Sequence, residues 1–155
     1  MENYAELLDT LTQQEKELQF TAFGSDTALA LGLKIIALAS ARQKSITVNI
    51  TINGKVLFHH AMQGASAEQA DWIRRKNNVV ARFGRCSFYV GIDHKQRGVV
   101  FEDIAYLDPK DYAAHGGAFP ITIKDTGIIG TVTVSGLRQA EDHALAIEAL
   151  RTVLI

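Results

Sequence analysis

The chain has 155 residues, 47% of them hydrophobic and 21% charged, with 16 basic against 17 acidic residues and a formal net charge of −1. That length suits a single domain, 1–155, with a core large enough to need no disulfide or metal staple. The near-neutral balance excludes a generic phosphate-backbone binder, so no nucleic-acid partner is expected, and the lone Cys86 excludes a disulfide framework and fits a reducing compartment.

Residues 1–10 carry Glu2, Glu6 and Asp9 instead of the positive start and apolar core of a signal peptide, which points to a cytoplasmic location. Tyr4, Leu7, Leu8, Leu11 and Leu18 recur at helical spacing, so residues 4–18 are expected to form an amphipathic helix. Ser25 or Asp26 can cap a second helix running to about Arg42. Its apolar stretch, 27–41, is interrupted by Lys34 and too short to cross a bilayer, so no membrane partner is expected. Leu29, Leu31, Leu33, Ile35, Ile36 and Leu38 cover nearly every face of this helix. It should therefore lie between a sheet and a further surface, such as another subunit of a homo-oligomer. Ile46, Val48, Ile50 and Ile52 alternate with Thr47, Asn49 and Thr51 as a half-buried strand does. Asn53-Gly54 supplies a two-residue turn into a partner strand over 55–62.

Ser66 and Gln69 have the spacing of a capping box for a helix that runs to Phe83, with Gly84 as its left-handed stop. A weaker helical pattern spans 86–96 and ends before Gly98. Residues 99–106 are ambiguous, and Asp108-Pro109 resembles a cap followed by a first-turn proline, predicting a short helix before Gly116-Gly117. Phe119, Ile121 and Ile123 alternate with Thr122 and Lys124, and Asp125-Thr126-Gly127 turns the chain into 128–135, predicting a second hairpin. Ala144, Ile147, Leu150 and Leu154 mark a last helix from about Arg138. Two hairpins set apart from helices define an α+β domain with a mainly antiparallel sheet.

Three places could carry chemistry. With a two-residue turn in strict register, Val48 opposes His59 and Thr47 opposes His60, so His59 sits among the isoleucines and valines and His60 joins Thr47, Asn49, Val56 and Phe58 on the mixed face; a bulge would reverse this. His60 is then a candidate ligand or proton-transfer group, or both histidines simply end a strand. In the helix after Ser66, Lys76 and Asn77 follow Trp72 and Ile73 by four residues and fall inside the buried stripe. A buried amine needs a carboxylate, carbonyls or an anionic ligand, unless Lys76 snorkels to the edge. Arg74, Arg75, Arg82 and Arg85 make that helix locally basic and attractive to a small carboxylate or phosphate. Third, His115-Gly116-Gly117 sits at a turn where backbone amides can approach a ligand closely, or where glycines merely punctuate the chain. His143 lies near a helix start that would keep it neutral, and packing is its expected role. Cys86 lacks a nucleophile motif. His59-His60 lacks a third ligand at diagnostic spacing, so no metal site is predicted.

The segments Phe58-His59-His60-Ala61-Met62, Trp72-Ile73-Arg74-Arg75-Lys76-Asn77 and Arg82-Phe83-Gly84 resemble the haem-degrading-domain family. So do Tyr112-Ala113-Ala114-His115-Gly116-Gly117-Ala118-Phe119-Pro120-Ile121 and Gly130-Thr131-Val132-Thr133-Val134-Ser135-Gly136. The pattern is that of its uncharacterised bacterial and fungal branch, which is related to haem-binding protein S and the glycolate-operon G protein. The resemblance implies a profilin-like α-β-α sandwich that assembles into homo-oligomers. It also implies a candidate pocket formed by His60, Lys76, Asn77, His115, Gly116, Gly117 and Phe119, with haem as a cofactor of the family rather than one read from these residues. Three functions compete: a cytoplasmic binder of a small anionic or tetrapyrrole ligand, a non-catalytic oligomeric adaptor, and an enzyme using His115 as acid or base.

Overall fold

Alternation along the strands decides the middle layer. The computed structural model describes residues 3–154, so Glu2 of the acidic start lies outside them. Strands β1 (Thr47–Ile52), β2 (Lys55–Ala61), β3 (Ala118–Ile123) and β4 (Gly127–Ser135) form an antiparallel sheet in the order β2-β1-β4-β3. The two predicted hairpins are its halves, joined where β1 pairs with β4. Val48, Ile50, Val132 and Val134 point to one face and are fully buried. Thr47, Asn49, Thr51, Thr131, Thr133 and Ser135 point to the other, since side chains alternate along a strand.

Each face receives helices that match it. The apolar face is covered by α2 (Ser25–Ala41), through Ala28, Leu31, Ile35 and Ala39, and by α5 (Gln139–Val153). The hydroxyl-rich face meets α3 (Ala67–Phe83), whose side chains bond to it: Thr47 donates to Gln69 Oε1 at 2.8 Å, and the Thr133 hydroxyl donates to Asn77 Oδ1. Helices α1 (Tyr4–Glu17) and α4 (Ser87–Gln96) pack together at one end, tied by Glu15, which accepts from Arg85 Nε and the Cys86 N–H, each at 2.6 Å. This is the expected three-layer α-β-α arrangement. The far side of α2 stays open, with Leu29 49% and Leu33 53% exposed.

Four local expectations are corrected. The first hairpin carries a bulge beside Ile50 and Thr51, so Asn49 opposes His59 and Val48 opposes His60. His59 therefore takes the polar face, where Asn49 Nδ2 donates to its Nδ1 at 3.1 Å. His60 moves to the opposite face and is exposed on the edge strand. Second, Ser66 precedes α3 but makes no side-chain cap bond: the Gln69 N–H donates to the Ser66 carbonyl, and the Gln69 side-chain oxygen accepts from Thr47. Gly24, with its N–H bonded to Thr27 Oγ1, likewise precedes α2 in place of Ser25 or Asp26.

Third, Asp108-Pro109 starts only a turn. The Asp108 side chain does accept from the Lys110 N–H at 2.9 Å, but α3 takes the carbonyls a helix would use. Arg75 donates to Pro109 O, Arg74 to Lys110 O and Asn78 to Asp111 O, each at 2.8 Å. Fourth, the basic run on α3 is not a shared anion site. Arg74 pairs with Asp71 and Asp111, Arg85 pairs with Glu15, and Arg82 lies over Tyr106.

Candidate functional site

A cavity of about 520 Å3 opens where the start of α3, the end of β4 and the start of α5 converge. Its floor is a buried ion pair. Lys76 Nζ lies 3.3 Å from Asp142 Oδ2, with the two side chains only 4% and 3% exposed. The same amine donates to the Val134 carbonyl at 3.1 Å, and the Leu137 N–H donates to Asp142 Oδ1 at 3.0 Å. The helical stripe of α3 brings Lys76 inward as the sequence predicts, so the buried reading holds and the snorkelling one does not.

Burial controls the protonation of this pair. It lowers the Lys76 pKa, with Asp142 pulling the other way. It raises that of Asp142 to about 6, against the opposing influence of Lys76 and the Leu137 N–H. Burial thus pushes both groups toward their neutral forms, while their mutual attraction opposes it.

His115 and Trp72 form a wall of the cavity, their rings meeting edge to face with centroids 5.7 Å apart. Arg75 stacks on Trp72 at 4.4 Å. Burial lowers the His115 pKa, partly offset by Glu102 and reinforced by Lys76, so the imidazole is neutral at pH 7. Gly116 and Gly117 lie behind this wall. The Gly116 N–H donates to Gln139 Oε1 at 3.0 Å. Gly117 has φ 138°, and a Cβ there would strike the Val134 carbonyl and approach Lys76 Nζ to 2.7 Å, so only glycine leaves room for the amine.

The structure thus brings together Lys76, His115, Gly116 and Gly117, and separates them from three other candidates. His60 sits on the edge of the sheet, carried to the wrong face by the bulge. Asn77 binds Thr133 and borders a different cleft, with Asn53, Asn78 and Thr131. Phe119 is fully buried core, opposite Val132 and beside His143. Sequence reasoning missed Asp142, Trp72 as a wall, Ser135, Gln69 and Gln139. The signal available for Asp142 was the need of a buried lysine for a carboxylate. His143, one residue on, is buried as expected and has its pKa lowered to about 4, by burial rather than by the helix start. Its Nε2 donates to Gln14 Oε1 at 2.7 Å, leaving Nδ1 without a partner.

These features define a three-layer α+β protein with a ligand-sized cleft over a buried lysine–aspartate pair. The profile described as "Haem degrading protein HbpS-like" matches residues 23–151, and the chain belongs to that family. A UPF0303 protein of Streptomyces coelicolor is 45% identical over 140 residues, covering 90% of this chain and 89% of the relative. One from Azotobacter vinelandii is 46% identical over 147 residues, covering 95% and 89%. Among solved structures, that of Ybr137w superposes with a TM-score of 0.86 at 31% identity, over 94% of this chain and 87% of the other. The complex of PduOC with haem gives a TM-score of 0.71 at 18% identity, over 84% and 94%, and supports the fold alone.

Proposed function

We propose that the chain is a small-molecule-binding protein of this family, and that its cavity between α3 and α5 takes an anionic or tetrapyrrole ligand. The observation that carries this reading is the buried Lys76 amine bordering a cleft of ligand size, with an aromatic wall and a neutral imidazole beside it. Haem fits the chemistry of that wall. His115 makes no hydrogen bond among the described residues and is kept neutral, so a ring nitrogen can ligate iron, while Trp72 offers an aromatic surface and Lys76 a counter-charge for a carboxylate. Bound there, haem would supply an iron centre for redox or oxygen chemistry.

Haem titration followed at the Soret band tests this version. A shift that His115→Ala abolishes is expected, whereas the absence of any shift removes haem. Thermal-shift measurements with small carboxylates, run with and without Lys76→Ala, test the wider reading. No stabilisation by haem or by any carboxylate would overturn it.

The reading extends to a homo-oligomer in the cytoplasm. The open Leu29–Leu33 face of α2 and the single, buried cysteine support it, and no helix among the described residues is long and apolar enough to cross a membrane. The same open face also supports the alternative of a non-catalytic oligomeric adaptor, in which α2 and α3 serve subunit and partner contacts. Light scattering at micromolar concentration tests the self-association that this alternative needs, and a stable monomer would count against it.

A further inference from the structure

The lysine–aspartate pair has features that simple charge burial does not require. Although buried, Lys76 and Asp142 both border the cavity. Two partners engage the amine, Val134 O and Asp142 Oδ2, leaving a third direction free. The contact to Asp142, at 3.3 Å, is longer than the 2.7–2.9 Å usual for a charge-assisted bond, so the carboxylate holds the amine loosely. The Leu137 N–H holds the other carboxylate oxygen, so Oδ2 is the oxygen that faces Nζ. Two side-chain amides also line the cavity, each with its oxygen occupied: Gln69 accepts from Thr47, and Gln139 from Gly116. Their NH2 groups remain as donors beside the cavity, with Arg138 at its rim, a set suited to a carboxylate.

We propose that Lys76 forms a Schiff base with a small 2-oxo acid, with Asp142 as its proton carrier and the amides of Gln69 and Gln139 holding the substrate carboxylate. This rests on the ligand-binding reading of the same cavity. The Lys76 ammonium passes a proton to Asp142 Oδ2, and the freed nitrogen pair attacks the ketone carbon. A proton moves from nitrogen to the former carbonyl oxygen, giving a neutral carbinolamine. Asp142 then returns its proton to that hydroxyl, water leaves, and a cationic imine remains beside the carboxylate. No oxidant or reductant is consumed.

The experiment is reductive trapping of the full-length chain with pyruvate and cyanoborohydride, read by intact mass and peptide mapping. One adduct is expected, on Lys76, labelled about tenfold above the mean of the other seven lysines. Asp142→Asn should slow trapping about tenfold, and Lys76→Arg, which keeps the charge, should abolish it. Mapping on the unaltered chain decides the matter even if a variant fails to fold. Labelling of Lys76 no greater than that of the exposed lysines overturns the proposal. Thermal stabilisation by pyruvate without trapping would remove the Schiff base and keep ligand binding. Failure of trapping together with failure of every ligand in the titrations would remove both.

Discussion

At position 117 a single methyl group would be enough to disturb the site. The residue holds φ 138°, and its Cβ would meet the Val134 carbonyl that also receives Lys76. Gly117→Ala should therefore cost about 2–4 kcal/mol in urea denaturation, combining backbone strain with a steric clash. A second test at this scale concerns His143. Its folded pKa of about 4 lies below the unfolded value, so between those values the unfolded chain binds more protons. Stability from the neutral ring is complete above about pH 6.5 and is lost as pH falls toward 4, by up to about 3 kcal/mol. His143→Leu should flatten the acid limb of the stability curve measured from pH 7 to 4. Asp142 acts with the opposite sign: its raised pKa means that its contribution declines as pH rises from about 4 to 6. Because Asp142 is present in both proteins, the difference in slope isolates His143.

Lys76 was legible because a helical stripe is a one-dimensional pattern. Asp142 was not, because an acid in the first turn of α5 looks like an ordinary helix-start residue until the fold sets it against α3.

The elements show how local signals are overridden. Helices α1, α2, α3 and α5 and both hairpins follow from periodicity and turn chemistry, because burial of one face enforces the pattern. The bulge in β2 leaves no comparable mark in the sequence, yet it exchanges the faces of two adjacent histidines. His59→Ala should accordingly cost about 0.5–1.5 kcal/mol through its bond to Asn49, while His60→Ala stays within about 0.5 kcal/mol. Chemical denaturation of the two variants checks the register, and equal effects would contradict it. The Asp108-Pro109 signal failed because guanidinium and amide groups of α3 claim the carbonyls a helix would need, a competition between distant segments. Helix α2 gives a similar contrast. Leu31→Ala removes a fully buried side chain and should cost about 2–5 kcal/mol, whereas Leu33→Gln should change monomer stability by no more than about 0.5 kcal/mol.

For the whole molecule, the composition conceals an uneven distribution. The net charge near zero hides a basic stretch, and in the fold most of the arginines of α3 and its end meet acids or carbonyls on other segments, so a basic helix in the sequence becomes a set of tethers. At the cavity itself the buried amine is paired with Asp142, and Arg138 adds a basic group at the rim. Apolar surface is also distributed unevenly, since α2 shows two leucines to solvent. Leu29→Gln combined with Leu33→Gln should shift the light-scattering mass toward that of the monomer while leaving the thermal midpoint of haem or carboxylate stabilisation in place.

The two margins of the sheet differ. The segment joining α1 to α2 lies along β3, with the Phe20 N–H bonded to Thr122 O and the Lys124 N–H to Phe20 O, both at 2.8 Å. That bridge covers the far end of β3, whereas β2 forms the opposite margin of the sheet. Strand-by-strand growth needs two open margins per molecule, one to receive and one to offer. A molecule with one can pair once, sheet to sheet about a two-fold axis, and then has nothing further to extend. The short Phe20 crossing occupies the Thr122 carbonyl and the Lys124 N–H, two groups that a second copy would otherwise need to extend the sheet at that margin.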